Sequence, residues 1–402
     1  MARARERAWA NPSSVHAAGR AARAALEQAR EEVARAIGAV PADVVFTSGG
    51  TEACNLGVLG LAAGAPRRVV TTRIEHPAVS EPVAALERAG AEVIRLDVPE
   101  GRPPSVEALD AALEGAGLAA LGWVNAETGT VLPVPAYAER CRARGVPLFV
   151  DATQALGKLE VDASRIGASA LALAAVKIGG PPGAGALWIA RETPLEPRAL
   201  GGAQERGRRA GSLDAAALAG FGAACAAVGG RLAAMSEVAR RRDRLERALL
   251  AHGAVVNGAA GPRVATVTSV SVPGWRGSRL VAALDLEGLC ASRRLRVLLR
   301  GRRAVAGGGR HVAQRALARG VGPAPQPVRG DDRRRDRRGA GHPRARARAA
   351  DLTRRSEEAG EPRAHLASVR VKRSLETNVQ LQVISRIGSP GSVRFSIRIA
   401  TP

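Results

Sequence analysis

Residues 44–55 read VVFTSGGTEACN: an apolar, β-branched run, then the turn Thr47-Ser48-Gly49-Gly50-Thr51-Glu52, then the start of a stretch with helical spacing. A strand that ends in glycines and enters a helix brings backbone N–H groups and the positive end of the helix dipole to one point. The hydroxyls of Ser48 and Thr51 add donors there, so the turn suits a phosphate. Taken alone it is equally a plain strand-to-helix turn. Outward from it the same alternation repeats. Short apolar runs at 44–46, 69–71, 93–96, 119–124, 148–150, 171–173 and 186–189 are separated by stretches with helical periodicity, such as 16–37, 78–89 and 105–113. Continuous apolar strands between helices predict an α/β fold, a mostly parallel seven-stranded sheet with helices on both faces. Ligands in such folds sit at the carboxyl ends of the strands.

The composition supports a folded core and narrows the class. Of 402 residues, 46% are hydrophobic, enough for two domains or one large one. Three lysines (Lys158, Lys177, Lys372) stand against 57 arginines, a bias that fits a GC-rich genome. The net charge of +23 suggests nucleic acid until it is divided along the chain. Residues 1–292 carry 33 basic and 29 acidic side chains, whereas 293–350 carry 18 arginines and three aspartates. No apolar run approaches a membrane span, and the start MARARERAWA lacks the apolar centre of a signal peptide. Four dispersed cysteines without a CxxC pair fit a reduced, cytoplasmic protein.

Three more clusters follow strands. Asp151 in Val150-Asp151-Ala152-Thr153-Gln154 closes one run. It is either a helix cap or a buried acid in need of a cationic partner, such as a pyridinium nitrogen. Lys177 closes the run 171–176, where an apolar setting would lower its pKa for Schiff-base chemistry; the plainer reading is a solvated strand end. His76, in Glu75-His76-Pro77, could stack on a flat ring or move protons, or could be a surface-loop histidine.

The order and spacing of the four clusters resemble the class V aminotransferase superfamily and, within it, the NifS/IscS-like cysteine desulfurases. The matching words are NPSSVH (11–16), FTSGGTEACN (46–55), IEHPAV (74–79), NAETG (125–129), VDATQALGK (150–158), KIGGPPGAGAL (177–187), GGAQERGRRAGS (201–212) and LVAALDLEG (280–288). The resemblance implies the pyridoxal-phosphate-dependent transferase fold of type I, with an incomplete small α+β domain. Gly50 and Thr51 would hold the cofactor phosphate, and His76 would stack on the ring. Asp151 would pair with the pyridine nitrogen and Gln154 would bond the ring oxygen. Lys177 would form the Schiff base and remove the α-proton of L-cysteine. Ser212 would reach the phosphate of a partner subunit, implying a homodimer. The implied products are L-alanine and a protein persulfide, passed to a sulfur acceptor such as an iron–sulfur scaffold or into thio-cofactor assembly.

The chain also departs from that pattern. It opens almost at Asn11, without the family's extended start. Ala126 replaces an asparagine, Val176 a histidine, Ala174 a serine and Pro182 a lysine, each removing a polar partner. The small-residue loop with the sulfur-accepting cysteine, expected shortly after Leu286-Glu287-Gly288, is absent. Cys290 comes too early and reads as a buried core cysteine. If 293–303 were encoded by suitable GC-rich codons, reading one nucleotide earlier would give a run of the type Ser-Ala-Ala-Ala-Cys-Ser-Ser, a desulfurase cysteine loop. With suitable codons, a shift of 321–328 the other way can yield Ser-Gly-Leu-Arg-Leu-Ser-Leu, which resembles the family's arginine motif. The expected organisation is therefore a cofactor-binding domain at 11–235, the start of a small domain at 236–292, an out-of-frame, disordered Arg-rich segment at 293–350 and a tail at 351–402. The expected activity is an impaired desulfurase. Another class V enzyme, a lyase or aminotransferase, would need no such cysteine. Nucleic-acid binding through the Arg-rich segment is the remaining alternative, and the absence of interleaved aromatics disfavours it.

Overall fold

The seven apolar runs all become strands of one sheet: β1 (Val44–Thr47), β2 (Arg68–Thr72), β3 (Glu92–Leu96), β4 (Leu118–Gly122), β5 (Leu148–Asp151), β6 (Ala170–Ala174) and β7 (Gly185–Ile189). The computed structural model describes residues 8–62, 67–286, 289–292 and 378–382, with residues 1 and 6. The Arg-rich segment 293–350 and nearly all of the tail expected at 351–402 lie outside the described residues. The strand order is β1-β7-β6-β5-β4-β2-β3. Only β7 runs against its neighbours, pairing antiparallel with β1 (Val44 opposite Trp188) and with β6 (Leu171 opposite Trp188). The others run parallel, which puts the ends of β1, β2, β5 and β6 on one edge.

Both faces are covered, as continuous apolar strands require. On one face Phe46, Leu171 and Leu173 pack with the helices Ala17–Ala36 and Ala215–Ala226 through Leu26, Val33 and Phe221. On the other, Val45, Phe149 and Leu187 meet the helices Gly50–Leu61 and Pro77–Arg88. Each buried aliphatic or aromatic side chain contributes about 1.5–3 kcal/mol relative to exposure. Helix starts follow local chemistry: His16, His76, Ser105 and Asp214 each accept a hydrogen bond from an amide of the first turn.

One charged pair is buried between these layers. The Arg30 guanidinium donates to both Glu205 carboxylate oxygens at 2.7 and 2.8 Å and to the Val44 carbonyl at 2.8 Å. Glu205 also accepts from the Phe46 amide at 2.6 Å. The pair thus fastens the loop around Glu205 to strand β1.

The Ala-rich stretch at 213–253, whose sequence reads as a long helical stretch interrupted at Gly229-Gly230, is three helices, Ala215–Ala226, Val228–Ala233 and Met235–Leu250. The breaks fall at Ala227 and Ala234 and not at Gly229-Gly230. Glycines weaken a helix without ending it, and the breaks flank the short helix that carries Val228 into the large core. Beyond them, β8 (Val255–Val256), β9 (Val267–Ser271) and β10 (Asn378–Gln382) form an antiparallel sheet in the order β10-β9-β8. Leu249, Val270 and Leu280, the last from the helix Gly277–Leu286, make a separate small apolar cluster there.

Candidate active site

Where β1, β2, β5 and β6 end, a cavity of about 500 Å³ opens. Six of the seven residues singled out in the sequence line it: Gly50, Thr51, His76, Asp151, Gln154 and Lys177. Ser212 does not; it lies exposed on the loop before the helix Ala215–Ala226.

The turn after β1 is shaped by close packing. A Cβ on Gly185 of β7 would lie 2.5 Å from the Gly49 carbonyl carbon, and Gly49 itself has φ +156°. Both positions require glycine for the turn to rest against β7. The first amides of the helix Gly50–Leu61 have no carbonyl a turn earlier to bond, so they face outward as donors. Glu52 steadies the turn by accepting from the Ser48 amide at 2.7 Å and from the Arg209 guanidinium at 2.7 Å. Burial opposes the charge of Glu52, but these hydrogen bonds outweigh it and hold its carboxyl below the usual range.

His76 caps the helix Pro77–Arg88: its Nδ1 accepts from the Ala78 amide at 3.0 Å. A ring whose Nδ1 accepts carries its neutral-form proton on Nε2. Asp151, 7% exposed, accepts from the Thr153 amide at 3.0 Å. Burial, followed by the nearby Asp151 carboxylate, pushes the pKa of the Cys54 thiol well up. Next to His76, the buried Glu75 accepts from the Thr72 hydroxyl at 2.5 Å. Burial, reinforced by Asp151, raises its pKa to about 8. Asn125 also lines the cavity, but its amide is engaged. It donates to the Ile74 carbonyl at 2.8 Å and accepts from Glu127 and Thr128, tying two loops together.

Lys177 sits in the single turn Ala175–Ile178 after β6. The neighbouring Lys158 donates from Nζ to Gln154 Oε1. Burial lowers the pKa of Lys158 to about 8, with the charge of Lys177 acting in the same direction. Sequence reasoning passed over Lys158, Glu75 and Cys54 as site residues. The scarcity of lysine was the available signal for the first; nothing in local pattern distinguishes the other two.

Of the four positions where the sequence departs from the pattern it resembles, three lie here: Ala126, Ala174 and Val176 line the cavity, and Val176 is 49% exposed. Ser292, the last residue described before the Arg-rich segment, reaches the cavity wall. Cys290 corrects the expectation of a core cysteine, because it is exposed. Leu289 folds back, its amide bonding the Leu284 carbonyl at 2.8 Å, and Leu289 and Ala291 pack on the small cluster while Cys290 points out between them. Among the described residues no group of His, Cys, Asp and Glu could hold a metal, and no helix is long and apolar enough to cross a membrane.

The donor set suits one cofactor type: outward-facing helix amides for a phosphate, a buried carboxylate for a cationic ring nitrogen, and an amine for a carbonyl. Comparison with known proteins agrees. The profile of the aminotransferase class-V family matches residues 3–302. A cysteine desulfurase of Enterobacter agglomerans is 37% identical over 290 residues, 71% of this chain and 72% of the relative. An IscS-like cysteine desulfurase of Mycobacterium tuberculosis is 39% identical over 298 residues, covering 71% and 76%. Among solved structures, a NifS-like protein superposes with a TM-score of 0.69 at 30% identity, covering 72% of this chain and 82% of that one. DndA from Streptomyces lividans superposes at 0.65 with 32% identity, covering 73% and 87%. The edge of the sheet has thus gathered the chemistry that its sequence words announced: the chain belongs to the pyridoxal-phosphate-dependent class-V aminotransferase family, as a homologue of the NifS/IscS-like cysteine desulfurases.

Proposed function

We propose that this chain binds pyridoxal 5′-phosphate in the cavity and acts on L-cysteine, with its sulfur-transfer step impaired. The observation that carries the reading is the convergence of Gly50, Thr51, His76, Asp151, Gln154 and Lys177 on one cavity. Bound there, the cofactor supplies an electron-accepting ring that stabilises negative charge on the substrate carbon beside the amine. Gly50 and Thr51 hold the phosphate at the helix N-terminus, and Asp151 places its charge against the ring nitrogen. Gln154 hydrogen-bonds the ring oxygen. His76 lies against the ring, and Lys177 Nζ anchors the cofactor carbonyl and carries the α-proton. Ser212, exposed on its loop, serves the phosphate of a second copy in a homodimer.

The impairment follows from the cysteines. Persulfide formation needs a thiolate that can reach the substrate sulfur. Cys54 lines the cavity but is held as a thiol beside Asp151. Burial pushes Cys141 and Cys225 up to about 12. Cys290 is exposed outside the cavity lining. Four free thiols suit the reducing cytoplasm, where a sulfur acceptor such as an iron–sulfur scaffold would be the partner. If a lyase-type or aminotransferase reaction is the real one, the missing thiol costs nothing. The test is to load the full-length protein with pyridoxal phosphate and supply L-cysteine. The expected result is cofactor uptake lost in K177A, with alanine formed slowly and only with an added thiol such as dithiothreitol, which takes the sulfur and releases it as sulfide while being oxidised to its disulfide, and no protein persulfide seen by mass spectrometry. Abundant persulfide would overturn the impairment. Pyruvate, or turnover of other amino acids in preference to cysteine, would replace the desulfurase reading.

A further inference from the structure

Gln154 belongs to the six-residue constellation, but its hydrogen-bond partner Lys158 does not. Both sit on the turn after β5. Gln154 is 8% exposed, and Lys158 is anchored by its own amide, which donates to the Ala155 carbonyl at 2.9 Å. Lys158 Nζ donates to Gln154 Oε1. A carboxamide has one accepting and one donating end, whereas an ammonium only donates. Turning the amide over would set its NH2 against the ammonium, so the charged lysine permits one orientation. We infer that Lys158 is a positioning residue, whose ammonium locks the Gln154 amide with its donating end toward the cavity. The site then selects, at that point, a ligand atom that accepts a hydrogen bond, such as an ionised ring hydroxyl. This rests on the pyridoxal-phosphate reading for the identity of the ligand, though the lock itself is a property of the protein.

The lock depends on protonation. A neutral amine has a lone pair and can accept from the amide, which frees the turn-over. Lys158 becomes neutral near pH 8. The groups around it are Lys177 on the turn after β6, Asp151 at the end of β5 and Gln154 on its own turn. Arg231, from the helix Val228–Ala233, lies beside neighbouring Gly157.

The experiment measures the pyridoxal-phosphate dissociation constant by absorbance titration at pH 7 and pH 9 for the parent, K158M and K158R. Expected at pH 7 is a roughly tenfold weaker constant for K158M and about the parent value for K158R, the scale of one hydrogen bond to a charged group. Between pH 7 and pH 9 the parent should lose affinity while K158R, whose guanidinium stays charged, should not. K158M binding like the parent, or K158R losing affinity in step with the parent, would overturn the lock. Should K158M fail to fold, the pH comparison of K158R decides alone. A second readout needs no cofactor. Only three lysines occur in the chain, so isotope-labelled lysine gives three side-chain NMR signals. In Q154L the Lys158 midpoint should fall below that of the parent. An unchanged midpoint overturns the lock. A lowered midpoint in a protein that takes up no pyridoxal phosphate leaves the lock standing and removes the cofactor reading instead.

Discussion

Glu75 is the residue whose setting has the clearest thermodynamic consequence. It is buried beside Asp151, with its pKa raised from 4.5 to about 8, so the folded chain keeps a proton that the unfolded chain has lost. Its contribution is fully present below about pH 4.5 and disappears as the pH rises through 8. Between those limits stability therefore falls with rising pH, by roughly 3–5 kcal/mol for a shift of this size. E75Q keeps a neutral group able to accept from Thr72 and has no proton to lose. In urea denaturation the variant should match the parent near pH 5 and exceed it by a few kcal/mol near pH 8.5. A difference that stays constant across that range would show that Glu75 is already ionised in the fold. The same residue shows why part of the site was hidden in the sequence. Asp151 and Lys177 stand out because each ends an apolar run, whereas Glu75, Cys54 and Lys158 become site residues only through what lies beside them in space.

At the scale of elements, the inner strands were legible as apolar runs, which a sheet buried on both faces demands, while β3 at the sheet's edge carries Arg95 and is only half-buried. The helix caps at His16 and Ser105 are the first residues of stretches expected from periodicity alone, and the helices begin one residue later. The division of 213–253 was not legible, since alanines occupy both the helices and the bends and carry no directional signal. Nor was the Arg30–Glu205 pair, whose partners come from distant segments and meet only when the loop around Glu205 closes on β1. Both side chains are nearly inaccessible, at 5% and 3%. Removing one partner strands the other charge without water, so R30M should cost about 3–5 kcal/mol by thermal or chemical denaturation. The double variant R30M/E205L should recover much of that loss, because an apolar pair leaves no uncompensated charge. Equal losses in the single and double variants would mean that the pair acts only through packing.

For the whole molecule, what sequence and structure agree on ends near Ser292. Up to there, 33 basic and 29 acidic side chains nearly balance; after it come the arginines of 293–350. We propose a displaced reading frame as the common cause of the change of composition and of the missing cysteine loop. Sequencing the encoding DNA from codon 285 onward is expected to show a one-base insertion or deletion near codon 292 whose repair restores the cysteine. An intact frame would discard that account and leave the chain a class-V enzyme without a persulfide-forming thiol.

The sheet's wiring also sets a timetable during synthesis. β1 pairs with β7 alone, Val44 lying opposite Trp188. The phosphate turn at 47–52 thus leaves the ribosome early and waits for a partner that emerges only after every other strand of the sheet. Domains made vectorially cannot close such a distant pairing until its second half appears. A nascent chain halted before residue 185 would hold the turn without the strand it rests on. One halted after residue 189 has every strand of that sheet. On this timetable, the chain beyond residue 292 is made only after that sheet has all its parts.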